Sequence, residues 1–142
     1  MTVPREYKHA SDDFMAFLKD AGLATSLPTS HRTYTTVDAV LQVFRRRLTP
    51  EQVLLFAGVL PPCLRALFIE NWHPGEPVLS FGDRAALMHE VKNVRGEHNF
   101  SPDDAITAVA NALHLNVDRT AFADVLTKMP EGSAAYWAES KP

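Results

Sequence analysis

Residues 37–72 read VDAVLQVFRRRLTPEQVLLFAGVLPPCLRALFIENW. Apolar residues return here every three or four positions, the spacing that buries one face of an α-helix. Nothing in the run alternates between apolar and polar residues as a half-buried strand does. The apolar stripes are Val37, Val40, Leu41, Phe44 and Leu48, then Val53, Phe56, Ala57 and Leu60, then Leu64, Leu67, Phe68 and Trp72. The run therefore predicts three consecutive amphipathic helices.

Helix starts and stops punctuate the same run. Thr49, Pro50 and Gln52 combine an N-cap residue, a proline at the first helical position and a capping-box partner, so a helix should begin there. Two consecutive prolines, Pro61–Pro62, end one helix and can open the next. His-Pro-Gly-Glu-Pro at 73–77 should stop the third helix and begin a linker.

Similar stripes lie outward on both sides. Their members are Phe14, Phe17, Leu18 and Ala21; Leu87, Val91 and Val94; Ile106, Val109, Ala110 and Leu113; Phe122, Val125, Leu126 and Met129; and Tyr136 and Trp137. Acidic residues in the run 101–104, Ser-Pro-Asp-Asp, suit the positive end of a helix dipole and predict another helix start. We expect the stripe of residues 87–94 to end near Gly96, and the chain to fray from Ser140.

An internal repeat is predicted from a constant offset of 69 residues between the two halves. The aligned pairs include Val37 and Ile106, Phe44 and Leu113, Thr49 and Asp118, Phe56 and Val125, Pro61 and Pro130, and Phe68 and Trp137. The first helices also align if about four extra residues lie in the loop between Leu23 and Ser30. Agreement across three helices, a cap and a proline is more than two amphipathic helices share by chance.

The expected fold is therefore all-α, with two pseudo-repeated four-helix units packed into one bundle-like domain. The first unit spans 10–73 and the second 83–139, with a linker at 74–82. A chain of 142 residues is long enough for one core. Because each unit has few apolar residues, we expect the two to bury their stripes against each other.

Composition narrows the class of protein. The formal net charge of −3 does not suit a dedicated nucleic-acid binder, which is usually basic. Cys63 is the one cysteine, so an internal disulfide is excluded and a reducing compartment is favoured. The N-terminus lacks the apolar run of a signal peptide, and the apolar stretch 53–60 is too short to span a membrane. We expect a cytoplasmic protein without a membrane partner.

Candidate chemistry is sparse. Glu70–His73 is a single Glu-x-x-His, whereas di-iron bundles need two such motifs and two further glutamates. His89–Glu90 lacks the second histidine of a zinc-protease helix, since Asn93 stands in its place. Cys63 stands at a helix start, where a thiol pKa can fall, but no Cys-His-Asn set can be assembled around it. We therefore expect no catalytic residue, no metal and no cofactor, and favour a protein that is not an enzyme.

A possible interaction patch lies at the end of the second helix. Arg45, Arg46 and Arg47 could grip phosphates together with Arg65, although cations at a helix C-terminus also complement its dipole. Trp72 beside the linker could anchor a partner or pack on the domain's own core. These five residues form the candidate patch.

The sequence thus favours a non-enzymatic protein-protein interaction or regulatory module whose partner is an unidentified protein. One alternative is a nucleic-acid-associated protein using residues 45–47. Another is a small-ligand-binding protein with a pocket between the repeats. Oligomeric state stays open.

The run 37–72 resembles a bacterial family known as domain of unknown function 2267. The features that carry the resemblance are Phe44–Gln52, Leu60–Pro61 with Leu64–Arg65, and Glu70–Trp72. The family closes this run with Glu-Gly-Trp, so Asn71 departs from its glycine, and residues 129–132 hold only a weak second Leu-Pro step. The resemblance covers most of 10–137. It implies an all-helical fold of two related halves and brings no catalytic residues.

Overall fold

A computed structural model describes residues 2–25, 30–94 and 104–140 of the chain. The described ranges contain helices and no strands, so the predicted all-helical class is confirmed. The helices are α1 (Arg5–Lys8), α2 (Ala10–Thr25), α3 (Ser30–Arg45), α4 (Pro50–Ala57), α5 (Pro62–Ile69), α6 (Arg84–Asn93), α7 (Ala105–Leu115), α8 (Arg119–Leu126) and α9 (Ser133–Tyr136). The expected helix start at 101–103 and the expected stop near Gly96 lie outside the described residues.

Helix α1 was not predicted. It is a single turn without a buried residue, in which Tyr7 and Lys8 donate their backbone N–H groups to the Pro4 carbonyl at 3.1 Å. A helix that buries nothing leaves no apolar stripe in the sequence, so periodicity cannot detect it.

Local capping explains why α4 and α8 begin where they do. Thr49 accepts a bond from the Gln52 backbone N–H at 3.3 Å, and the Gln52 side chain accepts one from the Thr49 N–H at 2.9 Å. This is the predicted capping box. At α8 the Asp118 carboxylate accepts from the Ala121 N–H at 2.9 Å. Both caps satisfy backbone donors that a helix start otherwise leaves unpaired.

The core is continuous across both halves of the chain. Phe44 lies at its centre, with ring centroids 4.8 Å from Phe56, 5.2 Å from Tyr136 and 5.3 Å from Trp137. Most of the expected stripe residues are buried there, while Phe14, Trp72, Val94 and Leu126 are partly buried against it. Since Phe44 contacts aromatic residues from both halves of the chain, the halves share one hydrophobic interior.

Helices of the first half also pack on helices of the second half. Helix α2 packs most extensively on α7, and α6 packs on α3. Helix α2 contacts α3 as well, so contacts link α2, α3, α6 and α7, two helices from each half. This arrangement places the chain in one domain.

Element bounds agree with the predicted offset in the middle of each half. Helix α8 begins and ends 69 residues after α4, and their N-caps are also 69 apart. The first helices differ from the expected register, because the buried triplet Phe17, Leu18 and Ala21 lies 70 residues before Leu87, Met88 and Val91. In this alignment the first half has one extra residue, rather than about four, between its first two predicted helices. The repeat itself stays a prediction.

The connection between α5 and α6 is fixed to the core. Leu79 donates its N–H to the Arg46 carbonyl at 2.9 Å, and the Phe81 ring lies 6.2 Å from both Phe44 and Tyr136. Gly132 lies beneath Phe81 with a φ of 100°, in the left-handed region that favours glycine. The predicted linker is therefore anchored to both halves.

A methyl group at position 132 should disturb this anchor. In Gly132→Ala the new Cβ would lie 2.9 Å from the Phe81 Cγ, in a backbone conformation unfavourable for alanine. We expect a loss of about 2 kcal/mol in unfolding free energy, measured by urea titration.

Gly75→Ala is the matched control, since nothing lies within 4 Å of its Cβ position and its φ is not left-handed. Equal stability of the two variants would show that Phe81 does not pack on residue 132.

Candidate functional site

The three consecutive arginines close the last turn of α3. Arg47 donates its N–H to the Phe44 carbonyl at 3.0 Å, and Leu48 donates to the Arg45 carbonyl at 3.1 Å. These i to i+3 bonds tighten the helix end, and the cations complement its negative dipole. The tightened turn directs the three guanidinium groups to different neighbours.

Arg45 holds α3 to the end of α5. Its Nη1 donates to the Phe68 carbonyl at 2.7 Å and to the Glu70 carbonyl at 3.1 Å, and the residue is only 7% exposed. Burial lowers the pKa of this guanidinium, while Glu76 and Asp38 act in the opposite direction. Arg45 therefore acts inside the domain, as a permanent cation on the carbonyl end of α5.

Arg47 holds α3 to α6. Its Nη1 and Nη2 reach both carboxylate oxygens of Glu90, at 2.9 and 2.5 Å, and Nη1 also donates to the Val43 carbonyl at 2.7 Å. Its Nε donates to the Ser80 carbonyl at 3.3 Å, and its Cζ lies 5.9 Å from the centre of the Phe81 ring. With 5% exposure and both ends of the fork occupied, Arg47 presents no free face to a partner.

Glu90 accepts hydrogen bonds from Arg46 as well as from Arg47. Arg46 Nη1 donates to Glu90 Oε1 at 2.8 Å, so a single carboxylate serves two guanidinium groups. The hydrogen bond from Arg47 lowers the pKa of Glu90, and the bond from Arg46 adds to this against the opposing effect of burial. The result is a three-residue ionic cluster, Arg46–Arg47–Glu90, that joins the two halves.

The other two members of the predicted patch lie elsewhere. Arg65 donates from Nε to the Ala57 carbonyl at 3.1 Å and from Nη2 to the Leu60 carbonyl at 3.0 Å, which fixes it to the turn between α4 and α5. Trp72 is partly buried against the core. The structure thus divides the five residues among three places, and a partner role for them stays a prediction.

Sequence reasoning missed the role of Glu90. It appeared there only as part of an incomplete zinc-protease motif. One signal was present, because Glu90 lies beside the apolar positions 87 and 91, where a charged residue needs a buried partner. The partner itself comes from a helix more than forty residues away, which no local pattern reveals.

An open groove of about 290 Å³ lies between the two halves. The first half contributes Glu6, Asp13 and Arg65, and the second contributes Asn116 and Asp118. Arg65 Nη1 lies 3.4 Å from the Tyr7 hydroxyl of α1. The groove is thus bordered by α1 and by the turns before α5 and α8.

In the part of the chain that the structure describes, no side chains are grouped as a metal site or as a catalytic thiol site would require. There, no group of three or more histidine, cysteine, aspartate or glutamate side chains converges. Cys63 is half-buried, and its Sγ donates to the Ala10 carbonyl at 3.6 Å. Glu70 and His73 are both exposed.

Across the described ranges, no helix combines the length and apolar character needed to cross a membrane. Fold and site together define an all-helical domain whose two halves are joined by an internal ionic cluster. A family model described as an uncharacterized conserved protein, DUF2267, matches residues 14–136. The chain belongs to that family. Comparison with curated proteins gives no match.

The glutamate of the ionic cluster should make stability depend on pH. Because the pKa of Glu90 is lowered by folding, its stabilising effect is complete above the ordinary value of 4.5 and is lost as pH falls through the lowered value. Glu90→Gln should cost about 2 kcal/mol of unfolding free energy at pH 7, since Arg47 keeps its burial but loses a charged acceptor.

Urea titrations of wild type and Glu90→Gln at several pH values measure this effect. The difference should shrink below about pH 4.5, where Glu90 of the unfolded chain takes up a proton, and should vanish once the pH falls below the lowered pKa of Glu90 in the folded protein. Glu131→Gln, at an exposed position, should track the wild type at every pH. A difference between wild type and Glu90→Gln that is independent of pH would contradict the ionic role.

Proposed function

We propose that this domain is a non-catalytic protein-binding module and that it binds through the outer face of α4. The observation that carries the proposal is an exposed pair of leucines on that helix. Leu54 is 64% exposed and Leu55 is 38% exposed, whereas Val53 and Phe56 on the opposite face are buried.

Exposed apolar side chains that adjoin one another mark interaction surfaces more often than scattered ones do. Helix α4 is capped at its start by the Thr49–Gln52 box and packed on α5, so it presents the leucines on a fixed backbone. A rigid surface loses little conformational freedom on binding. The matching partner is a protein with an apolar groove or helix face that takes two adjacent leucine side chains.

Arg65 lies at the C-terminal end of the same helix. Its guanidinium lies at the end of α4 through the bond to the Ala57 carbonyl, and its side chain is partly exposed. A binding surface usually combines an apolar centre with a polar rim, and arginine is enriched in such surfaces. The proposal also places the protein in the cytoplasm, which a single unpaired cysteine supports.

Affinity capture with two matched variants tests this function. The full-length tagged chain should retain one protein in stoichiometric amount from its native lysate at low salt. Leu54→Asp should lose that protein, because a carboxylate at the centre of an apolar contact is desolvated without a partner.

Leu115→Asp is the control, since Leu115 is 70% exposed at the end of a different helix. It should retain the partner fully. Equal retention by both variants would exclude the α4 surface, and an empty eluate from wild type would count against a protein partner.

The geometry does not favour the nucleic-acid alternative. Arg45 and Arg47 donate to carbonyls and a carboxylate within the domain, and Glu90 offsets the charge of Arg46. Phosphate binding would require these bonds to break.

The groove between the halves supports a second candidate function, the binding of a small ligand. Carboxylate, guanidinium and amide groups converge on its rim from both halves. A thermal-shift screen of metabolites and metal ions on the whole chain tests it. A ligand present at 100 times its dissociation constant should add about 2.7 kcal/mol of stability. Asp118→Asn keeps the cap oxygen and alters the rim charge, so a true groove ligand should lose its shift there. A screen without shifts would exclude the tested compounds.

A further inference from the structure

Helix α1 adds no buried residue to the domain. It is a single turn of four residues, and its N-cap Pro4 makes no side-chain cap bond. A single helical turn is unstable in isolation, because its nucleation costs more than its few hydrogen bonds return. Helix α1 therefore depends on the contacts of its side chains with the rest of the domain.

Three consecutive side chains of α1 make such contacts. Arg5 Nη1 lies 3.5 Å from Asp13 Oδ2 on α2. Glu6 Oε2 lies 4.0 Å from Arg65 Nη2, and the Tyr7 hydroxyl lies 3.4 Å from Arg65 Nη1. The side chains of Arg5 and Glu6 are 74% and 52% exposed, so water screens both ion pairs and each adds little stability. Helix α1 is therefore weakly bound.

Arg65 keeps its position without α1. Its Nε and Nη2 donate to the Ala57 and Leu60 carbonyls, which fixes the guanidinium on the turn between α4 and α5. Its Nη1 is the nitrogen that meets α1, and the side chain is 31% exposed. A guanidinium held in this way is preorganised, so it loses little freedom when another acceptor replaces those of α1.

The place that α1 occupies continues into the groove between the halves. Glu6, Asp13 and Arg65 all line that groove. Asp118 on the same rim is already engaged as the N-cap of α8, where it accepts from the backbone of the helix. Removal of α1 therefore leaves one guanidinium and one carboxylate, Arg65 and Asp13, without the partners that α1 supplies. These opposite charges suit a segment that carries both an acidic and a basic residue.

The joint between α1 and α2 lies at His9, whose φ of −109° and ψ of 20° depart from helical values. Helix α2 is anchored beyond this joint. Cys63 Sγ donates to the Ala10 carbonyl at 3.6 Å, and Phe17 and Leu18 are buried in the core. Rotation about His9 can therefore release α1 while the domain stays folded.

We propose that α1 is a removable strap, and that the place it covers on Arg65 and Asp13 is a docking site for a partner protein. The partner segment is a helical turn with a basic, an acidic and an aromatic residue in succession, because Arg5, Glu6 and Tyr7 show what this surface accepts. The strap competes with that segment for the same contacts. The α4 leucines do not line the groove, so this proposal and the proposed function can fail independently.

Amide hydrogen exchange of the whole chain tests whether the strap opens by itself. The Tyr7 and Lys8 amides donate to the Pro4 carbonyl, and they should be protected less than about tenfold, as in a fraying terminus. The Phe17 amide, in the anchored part of α2, should exchange far more slowly. A common opening free energy for the Tyr7 and Phe17 amides would overturn the proposal.

A synthetic peptide of residues 2–9, blocked at both ends, tests the docking site, and the NMR signal of the Arg65 Nε–H group reports its binding. The tethered strap competes at an effective concentration of about millimolar. The double variant Glu6→Gln/Tyr7→Phe, which weakens the strap, should therefore bind the peptide about threefold more tightly than wild type. Glu51→Gln is the matched control, since it removes an exposed carboxylate from α4 and should bind as wild type does.

The peptide itself supplies the second control. With glutamine and phenylalanine in place of its acidic and aromatic residues, it should bind the double variant about threefold more weakly. Equal binding of both peptides, or of one peptide to wild type and double variant, would overturn the proposal. A wild-type dimer that the peptide dissociates would assign the site to a second copy of the chain and overturn it as well.

Leu54→Asp separates this site from the α4 surface. It should bind the peptide as tightly as wild type, whether or not it retains a protein from the lysate. Loss of peptide binding in Leu54→Asp would contradict a docking site that is distinct from the leucines.

Discussion

The pairing of α2 with α7 and of α3 with α6 is the constraint on which the rest of the structure depends. An amphipathic helix must bury its apolar stripe, and here each half offers part of that burial to the other. A polar contact between side chains joins the two helices of each pair. Arg47 binds Glu90 between α3 and α6, and Asn116 Nδ2 donates to Asp20 at 2.9 Å between α7 and α2. The two contacts lie at corresponding positions, because Asn116 follows Arg47 by 69 residues and Glu90 follows Asp20 by 70.

The Arg46–Arg47–Glu90 ionic cluster explains why the arginines at the end of α3 make most of their contacts inside the domain. Separating a partly buried guanidinium from its carboxylate leaves an uncompensated charge, which is far more costly than never burying the pair. Arg46, Arg47 and Glu90 therefore specify how α6 lies on α3 as well as stabilise it. The surface left for partners is elsewhere, on α4 and around the groove. A cluster of cations in a sequence is thus weak support for anion binding until their acceptors are known.

Sequence periodicity predicted the stripes, the capping box and the proline at the start of α5, because these features depend on residues within one turn of each other. It could not predict Glu90 as the acceptor of two arginines, since that contact joins distant helices. Burial matches α2 with α6 at an offset of 70 residues, which periodicity alone could not select because more than one alignment pairs apolar residues. Asn71 has a φ of 58°, in the left-handed region, which suits the glycine that the family resemblance implies at this position. The candidate patch was dispersed because spacing along the chain does not give direction in space.

We infer that the packing of α2 on α7 and of α3 on α6 makes the domain one cooperative unit. Native-state hydrogen exchange over a series of low urea concentrations tests it most directly. The slowest amides of α2, α3, α6 and α7 should converge on one opening free energy with one urea dependence. If the slowest amides of 10–73 and of 83–139 instead open with different free energies and different urea dependences, each half folds on its own core and the claim is contradicted.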